Sequence, residues 1–274
     1  MVRIKYDSHV HSNYSEHPSV DKTSPWLNME KAVELGLERL YFTEHVDYNR
    51  VGMANYNPNV DLPRYYNNLK EMEEAYRGKV RPMFGIEVGL ADGFIEPTKE
   101  YLKGWEFEQV LASVHFMAPW DPNFHQMEPW YSHSKGDVQQ MYLTTMLRLI
   151  KEFTDFDVVT HLTFFSRNCP FADNEIRYID APDHFDVLFR YLIENGKGTE
   201  VNTSSYRKFG FFMPGIEILK RYREMGGEVL TIGSDGHGKD KIGLDLDLAG
   251  ELAKEAGFRY YTIFEGRKPQ FIKL

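Results

Sequence analysis

The sequence predicts an α/β fold in which parallel strands alternate with helices and close into one barrel. Three observations carry this. Seven apolar or aromatic runs suited to strands alternate with seven helix-like segments, and repeated strand–helix units imply parallel strands joined by right-handed crossovers. No Pro/Gly/Ser linker, low-complexity tract or long charge block divides the chain, so residues 1–274 are expected to form a single domain. A length of 274 residues is ordinary for one α/β barrel.

The elements follow in order. A strand at 4–10 leads to a helix at 27–36, which Gly36 stops. The second strand, 39–42, is followed by a helix at 62–77 ending at Gly78. The third strand, 80–88, precedes a short helix at 98–103 and Gly104. The fourth strand, 109–116, precedes a helix at 137–153. There Val138, Met141, Tyr142, Thr145, Leu149 and Ile150 fall near one face, and Asp137 suits the N-cap because its carboxylate can accept from a first-turn amide. The fifth strand, 156–161, leads to a helix at 181–195 with Pro182 in its first turn and Gly196 past its end. The sixth, 198–202, leads to a helix at 214–225 opened by Pro214 and stopped by Gly226. The seventh, 229–233, is followed by a helix at 247–256 and Gly257.

Composition narrows the class. Hydrophobic residues at 42% and charged residues at 27% belong to a globular chain rather than a disordered one. A net charge of −9 argues against polymeric nucleic acid and membrane surfaces as partners, while leaving a small anionic substrate open. The single cysteine, Cys169, cannot form an intrachain disulfide and reads as a packed or loop thiol. No signal-like apolar segment opens the chain and no apolar run approaches ~20 residues, so the expectation is a soluble cytoplasmic protein. Two connections are long, 46–61 and 117–136. The second holds Trp120, Phe124, His125, Trp130, Tyr131 and His133, an aromatic density that suits a wall over a substrate.

The chemistry sits at the strand ends. Asp7-Ser8-His9-Val10-His11 closes the first strand, and alternation along a strand lets His9 and His11 project together. Asp7 shares that parity and is placed to orient a ligand. His45 closes the second strand, Glu87 the third, His115 the fourth, His161 the fifth, and Asp235 with His237 the seventh. A parallel barrel gathers these ends at one rim. Histidine and carboxylate without cysteine suit Zn, Mn or Fe as divalent ions. The set exceeds the needs of one ion, and three clustered ions with Glu87 bridging two account for it.

These residues resemble the PHP family (polymerase and histidinol phosphatase), most closely its monofunctional histidinol-phosphate phosphatases. The likeness covers essentially the whole chain. It rests on Asp7-Ser8-His9-Val10-His11-Ser12-Asn13-Tyr14-Ser15, Thr43-Glu44-His45, Gly85-Ile86-Glu87-Val88, Ser113-Val114-His115-Phe116, Thr160-His161, Glu200-Val201-Asn202-Thr203-Ser204 and Gly233-Ser234-Asp235-Gly236-His237. The resemblance implies a distorted (β/α)7, TIM-like barrel with a trinuclear site at the strand C-terminal ends. It implies one ion on His9, His11, Glu87 and Asp235, a second on Glu87, His115 and His161, and a third on His17, His45 and His237. Spacing alone leaves His17 a loop residue; only the resemblance makes it a ligand. It also implies that Arg207 and Arg167 grip phosphate, which a guanidinium fork suits.

The activity so implied is hydrolysis of a phosphomonoester, with L-histidinol phosphate, a histidine-biosynthesis intermediate, as the favoured substrate. A hydroxide bridging the Glu87-linked pair would attack phosphorus, and Asp235 or a metal-bound water would protonate the departing alcohol. Two other readings stand beside it: a related phosphoesterase acting on another small phosphomonoester or nucleotide, and a non-catalytic metal-binding regulatory protein. Thr163 departs from the family, many members of which carry Asp there, and puts the alcohol half of the substrate in question.

Overall fold

A computed structural model describes residues 2–15, 23–48, 60–117, 130 and 132–274. In chain order the elements are β1 (Tyr6–His11), α1 (Pro25–Leu35), β2 (Arg39–Val46), α2 (Leu62–Ala75), β3 (Arg81–Gly89), α3 (Ile95–Leu102) and β4 (Gln109–Ser113). There follow α4 (Lys135–Glu152), β5 (Val158–Val159), α5 (Pro182–Glu194), β6 (Gly198–Asn202), the short α6 (Tyr206–Phe209) and α7 (Ile216–Glu224). The chain ends with β7 (Leu230–Gly233), β8 (Gly236–His237), α8 (Leu246–Glu255), β9 (Tyr260–Glu265) and β10 (Lys268–Lys273).

The expected barrel is present, and its distortion has a local cause. The sheet runs β7-β6-β5-β4-β3-β2-β1-β8, with every pairing parallel. The seventh strand is broken. Its first half, β7, pairs with β6, and after Ser234-Asp235 its second half, β8, pairs with β1 through Val10↔Gly236 and His11↔His237. The Asp235 amide donates to the His9 carbonyl at 2.7 Å and the Ser8 hydroxyl to the Ile232 carbonyl at 2.7 Å, so the ring closes on β1.

A hairpin outside the seven repeats covers the strand N-terminal ends. β9 and β10 are antiparallel, and their turn, Gly266-Arg267, has φ of 52° and 66°, the left-handed pair that a two-residue hairpin loop requires. Phe264 packs with Leu111 and Val158 inside the barrel, and the Tyr41 hydroxyl donates to the Phe264 carbonyl at 2.7 Å. Arg267 pairs with Asp157 at 2.5 Å. One end is thereby closed, and the site belongs to the other.

Three local readings change. Ser134, not Asp137, caps α4; Asp137 is the third helical residue and completes a capping box with Ser134. Pro214 lies before α7 rather than in its first turn, after a cis Met213–Pro214 bond. β5 is only two residues long, and just beyond it His161 has a φ of 33°. Among the described residues no helix is long and apolar enough to cross a membrane.

Candidate metal centre

Every described residue of the expected ligand set reaches one rim. β1 delivers His9 and His11, β2 His45, β3 Glu87 and β8 His237; His115, His161 and Asp235 lie just beyond β4, β5 and β7. All are buried except His237, which is partly exposed. His17 lies outside the described residues.

Glu87 is the hub. Its Oε1 stands 3.1 Å from His115 Nε2 and 2.9 Å from His161 Nε2. Its Oε2 stands 2.8 Å from His45 Nδ1 and 3.5 Å from Nε2 of both His9 and His11. Asp235 Oδ1 lies 3.3 Å from His11 Nε2 and 3.7 Å from His9 Nε2. His9 and His11 face each other Nε2 to Nε2 at 3.0 Å, and His45 faces His237 in the same way at 3.3 Å. Among the described residues, donor atoms converge in three overlapping groups: His9, His11 and Asp235; His45, Glu87 and His115; and His11, His45 and His237.

This arrangement fits divalent cations. Glu87 Oε2 is buried and has no hydrogen bond of normal geometry, although three imidazole nitrogens surround it. Burial by itself raises the carboxyls of Glu87 and Asp235, yet the neighbouring histidines hold both well below the usual range. Burial lowers the imidazoles, but Glu200, Glu87 and Asp235 lift His9 well above its ordinary value, and Asp47 with Glu87 lifts His115 to about 10. Burial dominates at His237, which falls to about 4. An acid-rich interior of this kind demands positive charge, which clustered divalent ions supply.

Behind the expected ligand set stand carboxylates that spacing did not single out. Glu200, on β6, accepts from His9 Nδ1 at 2.8 Å, from Asn202 Nδ2 at 3.1 Å, from the His161 amide at 3.3 Å and from the Thr160 hydroxyl. Asp47 accepts from His115 Nδ1 at 3.0 Å. A Cβ on Gly233 would come within 2.4 Å of His9 Cβ and 2.6 Å of Glu200 Oε1, so the close approach requires glycine. Glu44 accepts from the Ser12 hydroxyl at 2.5 Å and from Ser15, tying the turn after β1 to β2. Asp7 does not orient a ligand ring. A bulge between Asp7 and Val10 breaks the two-residue alternation, and Asp7 accepts instead from the Ser234 amide at 2.8 Å, the Ser234 hydroxyl at 2.6 Å and the Gly243 amide at 2.9 Å.

A family model described as the PHP domain matches residues 7–204, which carry all the expected ligands except Asp235 and His237. The chain belongs to the PHP domain family. Its curated relatives include a Clostridium acetobutylicum protein named "Probable histidinol-phosphatase", 29% identical over 93% of this chain and 94% of that one. Another is the histidinol-phosphatase of Lactococcus lactis subsp. lactis, 26% identical over 96% of both chains. A crystal structure of histidinol phosphate phosphatase from that organism, complexed with zinc, L-histidinol and phosphate, aligns at a TM-score of 0.85 with 25% identity, covering 97% of this chain and 98% of that one. By this family and these relatives, the PHP chain is an enzyme of the phosphatase kind.

The two arginines differ in placement. Arg167 lies with its guanidinium 5.3 Å over the Phe164 ring, which is itself 4.5 Å from the His161 ring and 5.3 Å from that of His115. It is one aromatic ring from the PHP site. Arg207, on α6, is 65% exposed and donates through Nε and Nη2 to Asp245 at 2.7 and 2.9 Å. Ser204, just before α6, donates to Asp235 Oδ2 at 3.2 Å, so the segment carrying Arg207 starts at the site. Thr163 is buried, as is Cys169. Of the expected aromatic wall, Trp120, Phe124, His125 and Tyr131 lie outside the described residues; Trp130 is buried and His133 meets Ser132 at 2.8 Å.

Asp47 and Glu200 had readable signals. Asp47 follows His45 by two residues at a strand end, the spacing already used for His9 and His11. Glu200 is the one charged residue of the strand 198–202, where an unpaired buried carboxylate would be costly.

Proposed function

We propose that the protein is a metal-dependent phosphomonoester hydrolase that converts L-histidinol phosphate to L-histidinol and phosphate, and that residues 1–274 act as one catalytic unit. The observation that carries this is the shared carboxylate of Glu87, one oxygen facing His115 and His161 and the other facing His9, His11 and His45. The likeness to a phosphatase complexed with zinc, L-histidinol and phosphate, over nearly the full length of both chains, supports the substrate.

Three ions, zinc first with manganese or iron as alternatives, are assigned to His9, His11, Glu87 and Asp235, to Glu87, His115 and His161, and to His45, His237 and His17. When bound, such ions supply a nucleophilic hydroxide at neutral pH and neutralise charge developing on the phosphoryl oxygens. The protein's own part is to fix the imidazoles and to hold the ester. Glu200 keeps His9 turned inward. Arg207 and Arg167 are assigned to the phosphate oxygens, Arg207 with donors beyond the two that Asp245 takes. Asp235 is assigned as a ligand rather than as the acid for the leaving alcohol, because His9 and His11 keep it ionised against the effect of burial.

A phosphate-release screen of metal-loaded protein over small phosphomonoesters, with metal analysis alongside, tests this. Histidinol phosphate should be preferred and three ions should be bound per chain. Preference for another ester by orders of magnitude would overturn the substrate, and two ions or fewer at saturation would overturn the trinuclear assignment.

A further inference from the structure

We propose that Asp47 is a positioning residue for the metal centre, fixing the His115 imidazole with Nε2 turned to Glu87, and that residue 89 is glycine to leave the Asp47 carboxylate its place. The inference rests on the metal-centre reading above and concerns only this chain's own side chains.

Asp47 lies just past β2 and is fully buried. Its Oδ1 accepts from His115 Nδ1 at 3.0 Å, while His115 Nε2 lies 3.1 Å from Glu87 Oε1 on the other side of the ring. A neutral imidazole carries one N–H. Committing that hydrogen to Nδ1 leaves the Nε2 lone pair for an ion, and a carboxylate on Nδ1 also raises the basicity of the ring.

Gly89, the last residue of β3, supplies the independent observation. A Cβ built there would lie 1.5 Å from Asp47 Oδ1, 2.6 Å from its Cγ and 3.2 Å from His115 Nδ1. Gly89 does not belong to the positive-φ glycines, so its backbone does not require the residue. It pairs in register with Ser113 as an ordinary strand position. What excludes a side chain is therefore the carboxylate. Glycine at 89, aspartate at 47 and histidine at 115 form one steric and electrostatic unit contributed by three neighbouring strands.

The test is zinc affinity of the full chain by chelator competition, with the melting temperature of the metal-stripped protein as control. Asp47→Ala should weaken zinc binding by roughly 10- to 100-fold with stoichiometry retained at saturation. Asp47→Asn, which keeps the shape and an accepting oxygen, should lose less and carries the test if the alanine variant does not fold. Gly89→Ala should weaken zinc about as much as Asp47→Ala, because its methyl evicts the carboxylate. In the Asp47→Ala background the same methyl enters vacated space, so adding Gly89→Ala should change affinity by less than about threefold, a failure of additivity expected only of sites in contact.

Wild-type zinc affinity in Gly89→Ala, or losses that multiply in the double variant, would overturn the unit. Loss of one bound ion at saturation in Asp47→Ala would make Asp47 a ligand and overturn its positioning role. A wild-type chain that binds no zinc would remove the metal-centre reading and this inference together. One that binds zinc but spares histidinol phosphate would remove the substrate alone.

Discussion

Glu200→Gln offers a sharp test of how the interior sets metal affinity. The substitution preserves shape but turns one carboxylate oxygen into an NH2. At Oε2 that group would confront the Thr160 hydroxyl, the Asn202 amide and the His161 backbone N–H. The hydroxyl can reverse, but two donors would stay unmatched. At Oε1 it would confront His9 Nδ1 alone, 2.8 Å away. His9 can answer by accepting at Nδ1 and moving its hydrogen to Nε2, so this is the cheaper pose. Nε2 is the atom that faces His11, Glu87 and Asp235. To bind an ion, the ring must then recover its original tautomer and break one buried hydrogen bond, at about 1–3 kcal/mol. At 1.4 kcal/mol per decade that is a roughly 5- to 140-fold loss of zinc affinity. Without metal, the relocated N–H can donate toward Glu87, so the stripped protein should melt within a few degrees of wild type. Chelator competition and a melting curve on the stripped protein measure both quantities. Unchanged zinc affinity would refute the tautomer argument; a large fall in the stripped protein's melting temperature would assign Glu200 to structure instead.

Other outcomes follow from the same geometry. Glu87→Gln removes the buried charge between two imidazole groups and should weaken zinc by about two to four orders of magnitude, with turnover falling alongside, since stripping a buried ion pair of one partner costs about 3–5 kcal/mol; metal analysis and phosphate release check it. Arg207→Ala should lower kcat/KM for histidinol phosphate roughly 10- to 100-fold through lost charge-assisted hydrogen bonds, with zinc content unchanged; an unaltered kcat/KM would leave Arg207 only its pairing with Asp245. Arg267→Ala leaves the nearly buried Asp157 without its guanidinium at the closed end of the barrel. It should cost about 3 kcal/mol in urea denaturation with zinc affinity intact, and a change in zinc affinity would contradict the separation of the two ends.

The parts of the molecule that were readable in the sequence are those governed by period and by residue type. Strand–helix alternation is a local pattern, and it placed His9, His11, His45, Glu87, His115, His161, Asp235 and His237 at strand ends. Departures from period were not readable. The bulge after Asp7 turns that carboxylate from the ligands toward Ser234, and nothing in Asp7-Ser8-His9 announces it. Ser234-Asp235 splits one strand into β7 and β8, because barrel closure is decided by β1 across the ring rather than by the segment itself. The hairpin β9–β10 is visible in principle, as β-branched and aromatic residues on both sides of Gly266, but it lies outside the strand–helix repeat. Gly89 showed only that a glycine was present; its reason is a carboxylate from another strand.

Two of the proposed ligands lie where a side chain is costly. His161 has φ of 33° and Asp235 φ of 51°, a region that side chains other than glycine occupy at about 1–3 kcal/mol each. Glycine would remove the strain and the ligand together, so the surrounding structure must hold the strained residues instead. Asp235 is held through its amide on the His9 carbonyl at 2.7 Å, and Gly233, where a Cβ would lie 2.4 Å from His9 Cβ, gives the chain room beside β1. His161 is held through its amide on Glu200 Oε2 at 3.3 Å. Glu200 therefore serves two proposed ligands at once, orienting the His9 ring through one oxygen and restraining the strained His161 backbone through the other. The site is thus an over-determined rim, in which the groups that set ring tautomers also stabilise the backbone conformations that bring those rings together.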